Sequence, residues 1–193
     1  MGIAVFPVRP ASVNLVATAR FFSYTRLGAF RYCARACLPG HLGMQSFDFQ
    51  VVINCPLKLA FAVYTDIEHW RNRSIFGDIR WVKGSPWEEG SRLRVETVQP
   101  IRSTVDQVVL HCTPNRNVSY LSHVFGITTE TRVNFTAVSD RQTTVLVAMQ
   151  LVGRVSQALG FAIEPMILKT TKQVFEDLRK ECEAAAKEGS DRP

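Results

Sequence analysis

Acidic residues are missing from the front of this 193-residue chain: the first is Asp48. Five arginines precede it (Arg9, Arg20, Arg26, Arg31, Arg35) and no lysine does. Of the net charge of +6, +5 therefore belongs to residues 1–43. From Met44 onward, 18 Lys and Arg stand against 17 Asp and Glu, leaving +1. A nearly neutral remainder argues against a broad basic face for nucleic acid, so no nucleic-acid partner is expected. Runs of roughly 18 apolar residues are also lacking, so no transmembrane segment is expected. His-x-His and Cys-x-x-Cys do not occur, and no Gly-rich phosphate loop or nucleophile motif is present. No metal, no cofactor and no catalytic residue is assigned on these grounds. The cysteines, Cys33, Cys37, Cys55, Cys112 and Cys182, are odd in number and scattered. That is unlike a secreted disulfide framework and fits free thiols in a reducing cytosol.

The front segment fits three readings. Residues 1–43 are a mis-assigned start with Met44 as the true one, or a transit peptide of Arg-rich, acid-free composition. The third reading is a genuine basic extension, whose stretch from Val13 to Cys37 would form a loosely amphipathic helix touching a membrane surface or a partner. The expected location is cytoplasmic, or mitochondrial under the transit reading. Pro39-Gly40 and Gly43 break the chain before the folded domain, taken as residues 44–188, with 189–193 as a tail.

What the domain contains is periodicity. Phe47, Phe49, Val51 and Ile53 alternate with Asp48, Gln50, Val52 and Asn54, the period of a half-buried strand. Asn54 or Cys55 at the cap and Pro56 in the first turn mark a helix start, followed by an apolar helical face over Leu57 to Tyr64. Thr65-Asp66 restarts the chain into a short helix, Ile67 to Arg71, with Trp70 placed to pack back on the sheet. Six strands are then expected: Ile79–Lys83, Arg92–Val98, Ser103–Cys112, Asn117–Phe125, Ile127–Val138 and Thr143–Leu151. Short turns separate them, which favours antiparallel hairpins. From Arg154 to about Lys187 the period becomes helical, with a stripe of Leu159, Ile163, Ile167, Thr171, Val174 and Leu178. Pro165 should kink or interrupt that helix near Phe161–Ile163.

Strand, two short helices, six strands and one long helix form an order that resembles the START-like helix-grip superfamily (SRPBCC), including polyketide cyclase/dehydrase-like lipid-binding proteins. The resemblance is carried by Ile53-Asn-Cys-Pro56, Val63-Tyr-Thr-Asp-Ile-Glu-His-Trp70, Trp87-Glu-Glu-Gly-Ser91 and Phe175-Glu-Asp-Leu-Arg-Lys-Glu-Cys182, and spans about residues 46–186. It implies an α+β fold: a curved antiparallel seven-stranded sheet wrapped round a long C-terminal helix, with a cavity between them. Members bind lipids, steroids, polyketides, hormones or quinones, and a minority catalyse cyclisations. A related branch that binds coenzyme Q carries a Pro-Trp-Cys-like segment after its second helix. Here that stretch reads Arg71-Asn-Arg-Ser-Ile-Phe-Gly77, a departure from the branch.

The expected partner is a small hydrophobic molecule, and the expected role is its binding or carriage. A cyclase/aromatase or dehydratase-type enzyme and an interaction module with a filled cavity are the alternatives. Strand alternation groups Val105, Gln107, Val109 and His111 on one face, and Thr131, Val133 and Phe135 on another. With Tyr120 and the helical residues Leu159, Ile163 and Ile167, these are the candidate ligand-binding residues. Tyr120, Gln107 and His111 are the expected polar anchors. An acid/base dyad of His111 or His123 with Glu130 or Asp106 is weakened because Glu130 and Arg132 lie on the face opposite Thr131, Val133 and Phe135.

Overall fold

In the computed structural model, residues 30–33 and 46–190 are described, with side chains at 46–153 and 164–188. The elements are β1 (Phe30–Cys33), β2 (Ser46–Ile53), α1 (Leu57–Thr65), α2 (Ile67–Arg71), β3 (Phe76–Lys83), β4 (Arg92–Thr97), β5 (Ser103–Thr113), β6 (Asn117–Val124), β7 (Ile127–Ser139), β8 (Gln142–Val152) and α3 (Arg154–Ser190). All strands pair antiparallel, in the order β1-β2-β8-β7-β6-β5-β4-β3. Strands β2 to β8 are the seven-stranded curved sheet that the sequence implied, and it does not close on itself.

The eighth strand comes from the front segment. It pairs with the outer edge of β2, from Phe30 opposite Val51 to Cys33 opposite Asp48. Where the sequence suggested a basic helix running to Cys37, residues 30–33 are a strand; the rest of that helix falls outside the described residues.

Period-two alternation becomes burial. On β2, Phe47, Phe49, Val51 and Ile53 are buried; on β7, Ile127, Thr129, Thr131, Val133 and Phe135 are. The long helix α3 lies across the inner face and contacts β2, β7, β8 and α1. It buries Phe175, Leu178 and Cys182. Phe175 meets Phe49 edge-on at 5.7 Å and stacks on Tyr64 at 5.8 Å, so one aromatic joins helix, sheet and α1. Such aromatic pairs add about 0.5–1.5 kcal/mol beyond their buried area.

One local expectation is corrected and another narrowed. The N-cap of α1 is Pro56, without a side-chain cap bond. Asn54 is used elsewhere: its Nδ2 donates to Glu183 Oε1 on α3 at 3.0 Å, and its Oδ1 accepts from Gln142 on β8 at 3.1 Å. Of the kink or interruption expected at Pro165, the interruption does not occur: α3 is continuous over Arg154–Ser190 with Pro165 inside it.

The turn around Gly84 explains one resemblance motif. Gly84 has φ +76°, and a Cβ there would lie 2.3 Å from Ser91 Oγ, so glycine alone fits. The turn carries Trp87, itself at φ 61°, onto the end of α1, where its Nε1 donates to the Thr65 carbonyl at 2.6 Å. Trp70 is buried as expected and donates to the Tyr64 carbonyl at 2.7 Å.

Candidate functional site

Between the inner face of the sheet and α3 lies a cavity of about 240 Å³. Its inner end is formed by Tyr64, Trp70, Tyr120, Thr131 and Phe175, all buried. Its mouth is formed by the β4–β5 turn at Gln99, Pro100 and Ile101 and by Phe125 in the β6–β7 turn. There Ile101 is 51% and Phe125 63% exposed. Position along the fold produces this shape. Hairpin turns at one end of a curved sheet stand away from the helix, while α1 and α2 close the other end.

The walls follow from alternation. Val105 and Gln107 on β5, Tyr120 and Ser122 on β6, and Thr129 and Thr131 on β7 all face inward at i, i+2 spacing. Tyr120 stands opposite Val109 on β5 and Thr131 on β7. Helix α3 contributes Ile167, Thr170, Thr171 and Val174. Among the described lining residues none is charged, and the titratable ones are Tyr64 and Tyr120. Their hydroxyls meet at 3.4 Å, with Tyr64 donating. Burial raises the Tyr64 phenol well above its ordinary value, and Tyr120 is raised for the same reason. Both therefore stay protonated at neutral pH.

Of the sequence candidates, the fold brings Val105, Gln107, Tyr120, Thr131 and Ile167 together around the cavity. Val109, Val133 and Phe135 face the same interior but pack beside the cavity; Phe135 is held by edge contacts to Phe61 and Tyr64, each at 5.4 Å. The side chains of Leu159 and Ile163 lie outside the described ones.

His111 is different: it is exposed, and its Nε2 is 2.7 Å from Thr113 Oγ1. A register shift between Val109 and His111 accounts for it. The extra residue advances the alternation by one, so Cys112, not His111, follows Val109 onto the core side. His123 is likewise exposed, 2.9 Å from Thr128 Oγ1. Asp106 is engaged by Arg94 at 2.8 Å and Glu130 by Arg132 at 2.6 Å. The dyads considered from sequence are thus not assembled at the cavity.

Alternation itself contained some residues that the sequence reading passed over. Ser122 is two residues from Tyr120, and Thr129 two from Thr131. Thr170 and Phe175 adjoin the α3 stripe at Thr171 and Val174. Tyr64 was assigned to the apolar face of α1, but nothing local says that this face ends at a cavity. Met149 on β8 likewise continues the alternation of Val145 and Val147.

No protein-family model matches the chain, and no curated protein is significantly similar to it. Solved structures do resemble it. The Zhui aromatase/cyclase from Streptomyces sp. R1128 superposes with a TM-score of 0.63 at 12% identity, covering 73% of this chain and 94% of that one. Ara h 8.0201 gives a TM-score of 0.64 at 12% identity, covering 74% and 99%. A START superfamily protein from Mycobacterium smegmatis gives 0.55 at 14%, covering 74% and 97%. The chain therefore has the START-like helix-grip fold. At these identities the likeness concerns the fold, and function has to be argued from the site. Among the described residues, no helix is long and apolar enough to cross a membrane.

Proposed function

We propose that this chain binds and carries a small hydrophobic molecule, of lipid, polyketide, sterol or quinone-like character, in the cavity between its sheet and α3. The observation that carries the reading is the uncharged, largely apolar lining that leads from an exposed mouth to a buried end. A concave apolar site with a few convergent polar groups is the usual form of a small-molecule pocket. Two of the similar structures are an aromatase/cyclase and a START superfamily protein, which suits a ligand of this class. Acid/base chemistry on that ligand is less well supported, because the titratable groups at the described lining are two tyrosines that burial keeps protonated. The reading includes a cytoplasmic location, with the mitochondrion as the alternative under the transit-peptide reading of residues 1–43.

The test is displacement of an environment-sensitive apolar dye. The dye should bind one per chain and be released by an apolar ligand. Val105→Trp, which fills the cavity from a half-buried β5 position, should abolish uptake and leave the melting temperature little changed. Dye uptake that is indifferent to Val105→Trp would place the binding elsewhere and end the proposal.

A further inference from the structure

The lining also restricts the charge and orientation of the ligand. We infer that it is an uncharged molecule bearing a carbonyl, hydroxyl or ether oxygen, and that this oxygen goes in first, to the Tyr120 hydroxyl at the inner end. The inference rests on the pocket reading above and deepens it.

Three observations carry it. First, no described lining residue bears a charge, so neither a carboxylate nor an ammonium group would meet a counter-ion inside. A buried ion without a partner loses its hydration with nothing in return. The nearby buried cation, Arg73, is committed elsewhere. Its guanidinium lies 5.8 Å from the Trp70 ring centroid and holds both carboxylate oxygens of Glu181 through Nε and Nη2, at 2.9 and 2.8 Å; Nη1 has no hydrogen-bond partner, and the residue is not part of the cavity wall.

Second, the buried hydroxyl groups lie at the inner part of the cavity. Tyr64, Tyr120, Ser122, Thr129 and Thr131 line it and are all buried, whereas Thr97, Gln99 and Ser103, toward the mouth with Ile101 and Phe125, are half-buried or exposed. A ligand entering tail-first would lay hydrocarbon against five buried hydroxyls. Entering oxygen-first gives those hydroxyls a partner, and buried polar groups are costly when unmatched.

Third, the direction of the hydrogen bond sets the complement. Tyr64 donates to the Tyr120 oxygen at 3.4 Å and Thr131 hydrogen-bonds the same hydroxyl, so a ligand acceptor would join a hydroxyl cluster centred on Tyr120. Gln107, half-buried on the same wall, offers a second amide contact nearby. A neutral acceptor oxygen fits a phenol that burial keeps protonated.

The experiment uses three ten-carbon probes on the full chain: decane, methyl octyl ketone, and decanoate at a pH where it is ionised. Each is titrated against the bound dye. The ketone should displace it at least tenfold more tightly than decanoate, and Tyr120→Phe should bring the ketone back to the level of decane. The ranking in the unmodified protein does not depend on how the variant folds. Decanoate binding as tightly as the ketone would overturn the inference while leaving the pocket reading standing; so would a ketone affinity unmoved by Tyr120→Phe in a folded variant. Failure of all three probes to displace the dye would remove the pocket reading and this inference with it.

Discussion

Arg73 and Glu181 form a two-pronged ion pair, at 2.9 and 2.8 Å, that ties the turn after α2 to the long helix. The two partners are unequally buried: the Arg73 side chain is 1% exposed and that of Glu181 23%. Arg73 Nη1 has no hydrogen-bond partner, so the guanidinium depends on this one carboxylate and on the face of Trp70. Removing the carboxylate strands a buried charge, whereas removing the arginine leaves an anion that water reaches. Glu181→Gln should therefore destabilise by about 3–5 kcal/mol, and Arg73→Met by clearly less. Urea unfolding of both variants checks this; equal losses would mean that the burial asymmetry has no energetic weight.

The stripe on α3 gives a second contrast. Leu178 is buried against the sheet, while Lys180, two positions on, is exposed and makes only a 3.9 Å contact with Asp177. Leu178→Asp should cost about 4 kcal/mol or more, because a carboxylate enters an apolar contact. Lys180→Asp should stay within about 1 kcal/mol. Thermal unfolding of the pair measures the difference.

Alkaline pH should act through the two pocket tyrosines. Burial raises Tyr64 well above its ordinary value, and Tyr120 too, so the folded state keeps protons that the unfolded chain releases. Stability is then unaffected by these groups below the unfolded value near 10 and falls as pH climbs above it. Phenolate absorbance of Tyr64 and Tyr120 should appear only with unfolding, and Tyr64→Phe should flatten the alkaline loss. Ionisation of both in a folded chain would contradict the described burial.

The domain boundary yields a milder expectation. Among the described side chains, the buried core runs from Phe47 to Cys182, while β1 adds four paired positions along β2. A chain starting at Met44 should therefore fold, with a melting temperature lowered by a few degrees as the β2 edge becomes free. A loss of cooperative unfolding would show that residues 1–43 are part of the domain.

Much of this architecture was legible because burial on one face imposes a period on the sequence. The alternation at Thr129, Thr131, Val133 and Phe135 marked the inner face of β7, and the Ile167, Thr171, Val174 stripe marked the inner side of α3. His111 was misplaced because a bulge has no reliable signature in Val109-Leu110-His111, and one added residue reverses every face beyond it. The hydrogen-bonding role of Tyr64 depends on where α1 ends relative to β6, a tertiary fact. The burial of Arg73 has no local signal, since it depends on Glu181 from far along the chain as well as on the neighbouring Trp70. β1 lacks a visible period because four residues on a sheet edge are too few to show one.

The central claim is that a hydrophobic molecule occupies the cavity between sheet and helix. A crystal structure of the chain with a medium-chain ketone brominated at its far end tests it most directly. The account predicts one ligand per chain, its oxygen within hydrogen-bonding reach of Tyr120 and its bromine toward Ile101 and Phe125 at the mouth. A ligand found on the outer face of the sheet, or an interior closed by side chains with no ligand in it, would contradict the account.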